Sequence, residues 1–221
     1  MEKIKAIVAP GPVSYPLIAA KAKDIDMIFD KKGQGDIVLD STVSLVKRGI
    51  NFNISLIRKL SVVYPDIGKK IGVWRKGSAN DVLLRALLDL NKKESEIVYA
   101  EDQREIRNML TQNKIDSAVL SSAFAKGKAF EDLFAETKLY MPGSCAAYVK
   151  PEILDYFNSV YSEGIDRFRQ DPSGTAEYVA SVLPIKFDTE FIHAAILKSE
   201  SGPLEVKPYE EFRAIVLNHS S

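Results

Sequence analysis

The chain has 221 residues, 46% of them hydrophobic, enough to bury a sizeable core as one large domain or two small lobes, which argues against disorder. Lysine plus arginine and aspartate plus glutamate number 30 each, so no global field favours nucleic acid or an anionic membrane surface. The single cysteine, Cys145, excludes an internal disulfide framework, and His193 and His219 have no partner at ligand spacing, so no metal and no cofactor is expected.

The first apolar run, Lys5 to Ala9, reads as a strand stopped by the rigid turn Pro10-Gly11-Pro12. That interruption argues against an export signal, despite the basic start. No apolar run approaches the roughly 18–20 residues needed to span a bilayer, so no membrane insertion is expected. A cytoplasmic protein follows, or an exported one if a leader has been trimmed. Ser14 stands where an N-cap should, ahead of a short helix from Tyr15 to Ala22 with Pro16 in its first turn. Strands are expected at Ile25 to Phe29 and Ile37 to Leu39, with the loop Lys31-Lys32-Gly33-Gln34-Gly35 between them. The second ends in Asp40-Ser41-Thr42, a helical turn runs from Val43 to Arg48 and closes at Gly49, and Ile54 to Tyr64 reads as one long extended segment.

The stretch from Lys69 to Ser122 reads as β-α-β-α-β. Ile71 to Trp74 is a strand feeding a leucine-rich helix, with Ser78 at the N-cap and Asp81 three residues on, a carboxylate variant of the capping box. Glu96 to Ala100 is the next strand, Asp102 and Glu105 cap another helix, and Asn113 ends it in the left-handed conformation. Ser117 to Leu120 is a third strand, ending in Ser121-Ser122. Helical crossovers imply parallel strands, whose ligands gather at the carboxyl ends. Beyond lie a short helical piece at Phe130 to Phe134 and a strand at Cys145 to Val149. Helices follow from Pro151 to about Gln170, Gly174 to Leu183, Thr189 to Ser199 and Tyr209 to Leu217.

The runs IGVWRKGSANDVLLRALLDL, IVYAEDQREIRNMLTQNKIDSAVLSS and AAYVKPEILDYFNSVYSEGIDRFRQDPSGTAEYVASVLPIKFDTEFIHAAILKSES resemble the type II periplasmic-binding-protein superfamily over nearly the whole chain. The likeness is to nitrate, alkanesulfonate and thiamine-precursor solute-binding proteins, and to cytosolic relatives in the futalosine branch of menaquinone synthesis. The resemblance implies an α/β fold of two lobes, each a mainly parallel sheet flanked by helices, with a helical C-terminal tail and a ligand cleft between the lobes. Residues 1–67 plus 144–221 would form the first lobe and 68–143 the second. Carried onto this chain, the family's ligand contacts fall on Ser14 and Tyr15, Ser41 and Thr42, Gly77, Ser78, Ala79 and Asn80, Ser121 and Ser122, with Ser144 on the return turn. The chain departs from its relatives in having no export signal, and in Asn113-Lys114 where they often have glycine.

Arg75 and Lys76 before Gly77-Ser78 suit a carboxylate, phosphate or sulfonate at a helix N-terminus, whereas Ser78 alone would only cap its helix. The hydroxyl pairs gain weight only by converging, because serine and threonine are common in turns. Cys145 and His193 read as packed residues, Asp102 as a cap, and Trp74 as either a stacking platform or core. The expected function is non-catalytic binding of a small anionic or polar solute, with a transporter or protein partner left open. The alternatives are a lyase resembling the menaquinone-pathway dehydratases and a ligand-free regulatory or scaffold domain.

Overall fold

The computed structural model describes residues 3–30 and 32–220; Lys31 of the expected loop lies outside them, with Met1, Glu2 and Ser221. The chain opens with β1 (Ile4–Val8), α1 (Tyr15–Ala20), β2 (Ile25–Ile28), β3 (Ile37–Ser41), α2 (Thr42–Lys47) and β4 (Ile54–Arg58). It continues with β5 (Ser61–Tyr64), β6 (Lys70–Trp74), α3 (Ala79–Leu90), β7 (Glu96–Ala100), α4 (Gln103–Thr111), β8 (Ser117–Ser121), β9 (Lys128–Ala129) and α5 (Phe130–Glu136). It closes with β10 (Cys145–Val149), α6 (Leu154–Gln170), α7 (Pro172–Val182), α8 (Thr189–Leu197), β11 (Glu200–Glu205) and α9 (Glu210–Asn218).

Two sheets result: β11-β4-β10-β3-β1-β2 in the first lobe and β7-β6-β8-β5-β9 in the second. Both are mixed rather than mainly parallel. The βαβ units give the parallel pairs β1 with β2 and β3, and β6 with β7 and β8. The strands that follow a crossing between lobes, β5 and β10, run antiparallel to their neighbours, as do β9 and β11.

The pleat sorts each strand's side chains between two cores. In the first sheet Ala6, Val8 and Leu39 face α1, α6, α7 and α8, where Leu17, Phe157, Tyr161, Phe168, Val179 and Ile192 are buried. The intervening Ile7 and Val38 face the other way, into a cluster shared with Ile71 and Val73 of the second sheet and with α2, α3, α5 and α9. A smaller core lies under α4, around Ile106, Ala118 and Leu120. Burial on both faces explains why the strands read as continuous apolar runs.

The run from 54 to 64, expected as one segment, is two strands in different sheets. Lys59 adopts a left-handed φ of 57° between them, and β5 pairs with β8 and β9 of the second lobe. The second lobe's sheet therefore begins before residue 68, with β5. Alternation alone cannot show that break, because both halves are apolar. Strand β11 also escapes the pattern: its Ser-Gly-Pro centre reads as a turn, yet the strand pairs with β4 on both sides of a register shift there.

Candidate functional site

A cavity of about 290 Å³ lies between the lobes. The carboxyl ends of β1, β3, β6 and β8 open onto it, through Ala9, Ser41, Trp74 and Ser121 respectively or through the residue that follows. Such strand ends expose backbone and loop groups that no helix or ladder consumes, and ligand sites of α/β sheets form there.

On the first-lobe side, Pro10, Gly11, Pro12 and Val13 make one wall. The Gly11 N–H donates to the Ala9 carbonyl at 2.9 Å, and the two prolines have no N–H, so none of these three residues offers a free N–H to the cavity. Asp40 is buried beside it. Its Oδ1 accepts from the Ser41 N–H at 2.7 Å, its Oδ2 accepts from the Ser44 hydroxyl at 2.5 Å, and the Arg48 guanidinium lies at 3.8 Å.

On the second-lobe side, the Trp74 indole N–H donates to the Glu101 carbonyl at 2.8 Å, which fixes the ring in the cavity wall. Ala79 and Asn80 bring the start of α3 to the cavity. Gly77 turns the chain into that helix with φ 77°, and Ser78 caps it by accepting from the Asp81 N–H at 3.2 Å. Asp81 is fully buried in the first turn. It accepts from the Gly77 N–H at 2.7 Å and the Tyr99 hydroxyl at 2.9 Å, and pairs with Arg85 at 3.2 Å. The Gln103 side-chain oxygen accepts from the Ser121 N–H at 3.1 Å.

The two crossings between lobes form the floor, through Leu60, Ser61, Ser144 and Cys145. The Ser144 hydroxyl donates to Glu131 Oε1 at 2.8 Å and accepts from the Leu60 N–H, while the Lys59 N–H donates to the same Glu131 oxygen at 2.9 Å. One carboxyl thus ties both crossings to α5. Burial pushes the Glu131 carboxyl above the ordinary glutamate range. Burial also pushes the Cys145 thiol up, with Asp40 and Glu131 adding to the shift, so the sulfur stays a protonated wall atom. Across the mouth, Phe191 of α8 stacks on Phe124 of the second lobe with ring centroids 5.4 Å apart, and Lys198 Nζ donates to the Ala123 carbonyl.

Of the residues singled out from the sequence, Ser41, Trp74, Ala79, Asn80, Ser121, Ser144 and Cys145 line this cavity. The others do not. Ser14 donates to the Gly11 carbonyl and Thr42 to the Gly143 carbonyl, so each holds a turn. Tyr15 is buried in the first core, its hydroxyl without a hydrogen-bond partner among the described residues and its ring edge-on to Phe187. Gly77 and Ser78 shape the start of α3, and the Ser122 hydroxyl is buried without a hydrogen-bond partner among the described residues. Arg75 pairs with Glu101 at 3.0 Å, and neither Arg75 nor Lys76 lines the cavity, so the expected cationic flank is not part of the wall. Half-buried His193 is also absent from it. Asp40, Ser61, Gln103 and Phe191 enter the site unannounced. Asp40 and Gln103 adjoin strand ends and were open to discovery; Ser61 was hidden inside an apparent single strand, and Phe191 comes from a distant helix.

The family model described as "Protein of unknown function (DUF3834)" matches residues 1–202. No curated protein matches the chain. Among solved structures, the chain is similar to a candidate nitrate transport protein from Thermoplasma volcanium, 23% identical, covering 99% of this chain and 91% of that one with a TM-score of 0.73. It is similar to an ABC transporter protein from Parabacteroides distasonis, 15% identical, covering 99% and 90%, TM-score 0.62. It is also similar to the alkanesulfonate-binding protein of Xanthomonas axonopodis pv. citri, bound to MOPS, 11% identical, covering 99% and 90%, TM-score 0.51. At these identities the likeness establishes the fold, the two-lobed type II periplasmic-binding-protein architecture.

Proposed function

Because the chain belongs to the family described as "Protein of unknown function (DUF3834)" and has a binding-protein-like fold, we propose that it binds a small molecule reversibly in the interlobe cavity, without turnover. The observation that carries this reading is the cavity itself, walled by both lobes at the carboxyl ends of β1, β3, β6 and β8. A molecule seated there touches Pro10 and Ser41 on one side and Trp74, Asn80 and Gln103 on the other, so its binding favours the arrangement in which the lobes are together. The interior offers amide and hydroxyl groups, suited to orienting a solute by hydrogen bonds.

Native mass spectrometry of the purified protein, compared with the same sample denatured, tests this, followed by a thermal-shift panel of small polar solutes. A bound mass released on denaturation, or a saturable rise in melting temperature with no change in the solute, is the expected result. Chemical conversion of the bound solute would replace binding by catalysis, and an empty protein with a flat panel would overturn the proposal.

A further inference from the structure

The cavity wall has a definite charge character. Among the described residues no lysine, arginine or histidine lines it, and its only acidic residue is Asp40. Both Asp40 oxygens are engaged, by the Ser41 N–H and the Ser44 hydroxyl, and Arg48 stands close enough to balance the charge. A cationic ligand finds no uncommitted carboxylate there.

An anion fares no better. The start of α3 is the place where helix amides would favour one, and the Ala79 and Asn80 N–H groups have no acceptor among the described residues, but the Asp81 carboxylate, paired with Arg85, sits in that first turn and accepts from the Gly77 N–H, so no net positive charge is offered there. The opposite loop has two prolines without N–H groups, and the Gly11 N–H is spent on Ala9. Arg75 is not a lining residue: it pairs with Glu101 and lies over the Trp74 ring, its guanidinium carbon 5.3 Å from the ring centroid. A buried ion without a countercharge loses its hydration uncompensated. What the wall does offer is neutral: the Asn80 and Ser61 side chains make no hydrogen bond among the described residues, and Gln103 has its NH₂ group left after its oxygen accepts from Ser121. Beside them stands the Trp74 indole, its ring fixed through its N–H.

Resting on the proposed function above, we propose that the ligand is an uncharged planar molecule, held by the Asn80 and Gln103 carboxamides and the Ser61 hydroxyl against the Trp74 ring, and is neither an anion nor a cation.

Trp74 is the chain's only tryptophan, so its fluorescence reports directly on the cavity wall. The test titrates the intact protein with benzamide, benzoate and benzamidinium, near-isosteric planar probes that are neutral, negative and positive. Benzamide is expected to change Trp74 emission saturably and to bind at least about tenfold more tightly than either ion. Asn80→Ala and Gln103→Ala are each expected to weaken benzamide by about threefold or more, with the melting temperature of the unliganded protein held as a control for folding. Equal or tighter binding of benzoate or benzamidinium would overturn the neutral class and leave solute binding standing. If none of the three binds, the mass released from the native protein decides. An uncharged aromatic compound supports the assignment and an ionised one overturns it. No probe response together with no bound mass would sink the proposed function itself.

Discussion

At Gly164, helix α6 lies so close to α1 that a β-carbon would stand 1.8 Å from the Pro16 carbonyl oxygen. Alanine favours a helix over glycine by about 1 kcal/mol, but overpacking against backbone costs about 1–3 kcal/mol or more, so packing wins. Gly164→Ala should lower stability by about 2 kcal/mol in urea unfolding, and an unchanged or raised midpoint would show that α1 can move aside. Asp81 is the other residue on which much depends, because it serves Gly77, Tyr99 and Arg85 together. Asp81→Ala should cost about 3 kcal/mol by the same measurement, discounted from the fully buried case because Arg85 is partly exposed. Asp81→Asn keeps an acceptor and should cost less, yet it removes the negative charge from the start of α3. Its benzamide-over-benzoate preference, read by Trp74 fluorescence, should therefore narrow; an unaltered preference would mean that this carboxylate does not exclude anions.

Helix α5 acts through Glu131, whose Oε1 accepts from Lys59 and Ser144 while its Oε2 is buried without a hydrogen-bond partner among the described residues. Burial raises its folded-state pKa above the ordinary glutamate value, so the folded protein holds the proton more tightly than the unfolded chain does. The resulting stability is fully present below the unfolded pKa and is lost as pH rises through the folded one. Glu131→Gln keeps the oxygen that accepts both hydrogen bonds and cannot ionise. Urea unfolding between about pH 4 and about pH 8 should show wild type losing more stability than the variant as pH rises, and parallel profiles would refute the assignment. Helix α9 acts differently, burying Phe212 and Val216 against α2 of the first lobe and α3 of the second. Phe212→Ala should cost about 3–4 kcal/mol and Phe212→Leu about 1 kcal/mol, measured by the same unfolding curves.

The cluster containing Phe212 joins the lobes into one hydrophobic body, from Ile7 and Val38 of the first sheet to Ile71 and Val73 of the second. With so much apolar surface held in common, neither lobe can unfold without exposing the other's core. Urea unfolding followed by Trp74 fluorescence, which reports on the second lobe, should coincide with far-UV circular dichroism, which reports on both. Separate midpoints would show independent lobes. Any opening of the cavity has to respect this shared cluster, which leaves the Phe124–Phe191 stack and the Lys198–Ala123 hydrogen bond at the mouth as contacts that can part with less apolar exposure.

The sequence by itself determined the local units. The β-α-β-α-β order from β6 to β8 was legible because alternation, leucine periodicity and the caps Ser78 and Asp102 act within a few residues, and both caps make the hydrogen bonds expected of them. The strand ends that border the cavity could be named on the same basis. Only the tertiary structure decided that residues 54–64 divide between two sheets, that the Ser-Gly-Pro segment of β11 is a strand, and that Thr42 and Ser14 spend their hydroxyls on turns while Ser61 and Gln103 face the cavity. It also decided that Arg75 pairs with Glu101 and lies over the Trp74 ring without lining the cavity itself. Caps and periodicity are set by neighbours in the chain, whereas the face a side chain presents, and the charge of a cavity it helps to line, depend on partners brought together from distant positions by packing.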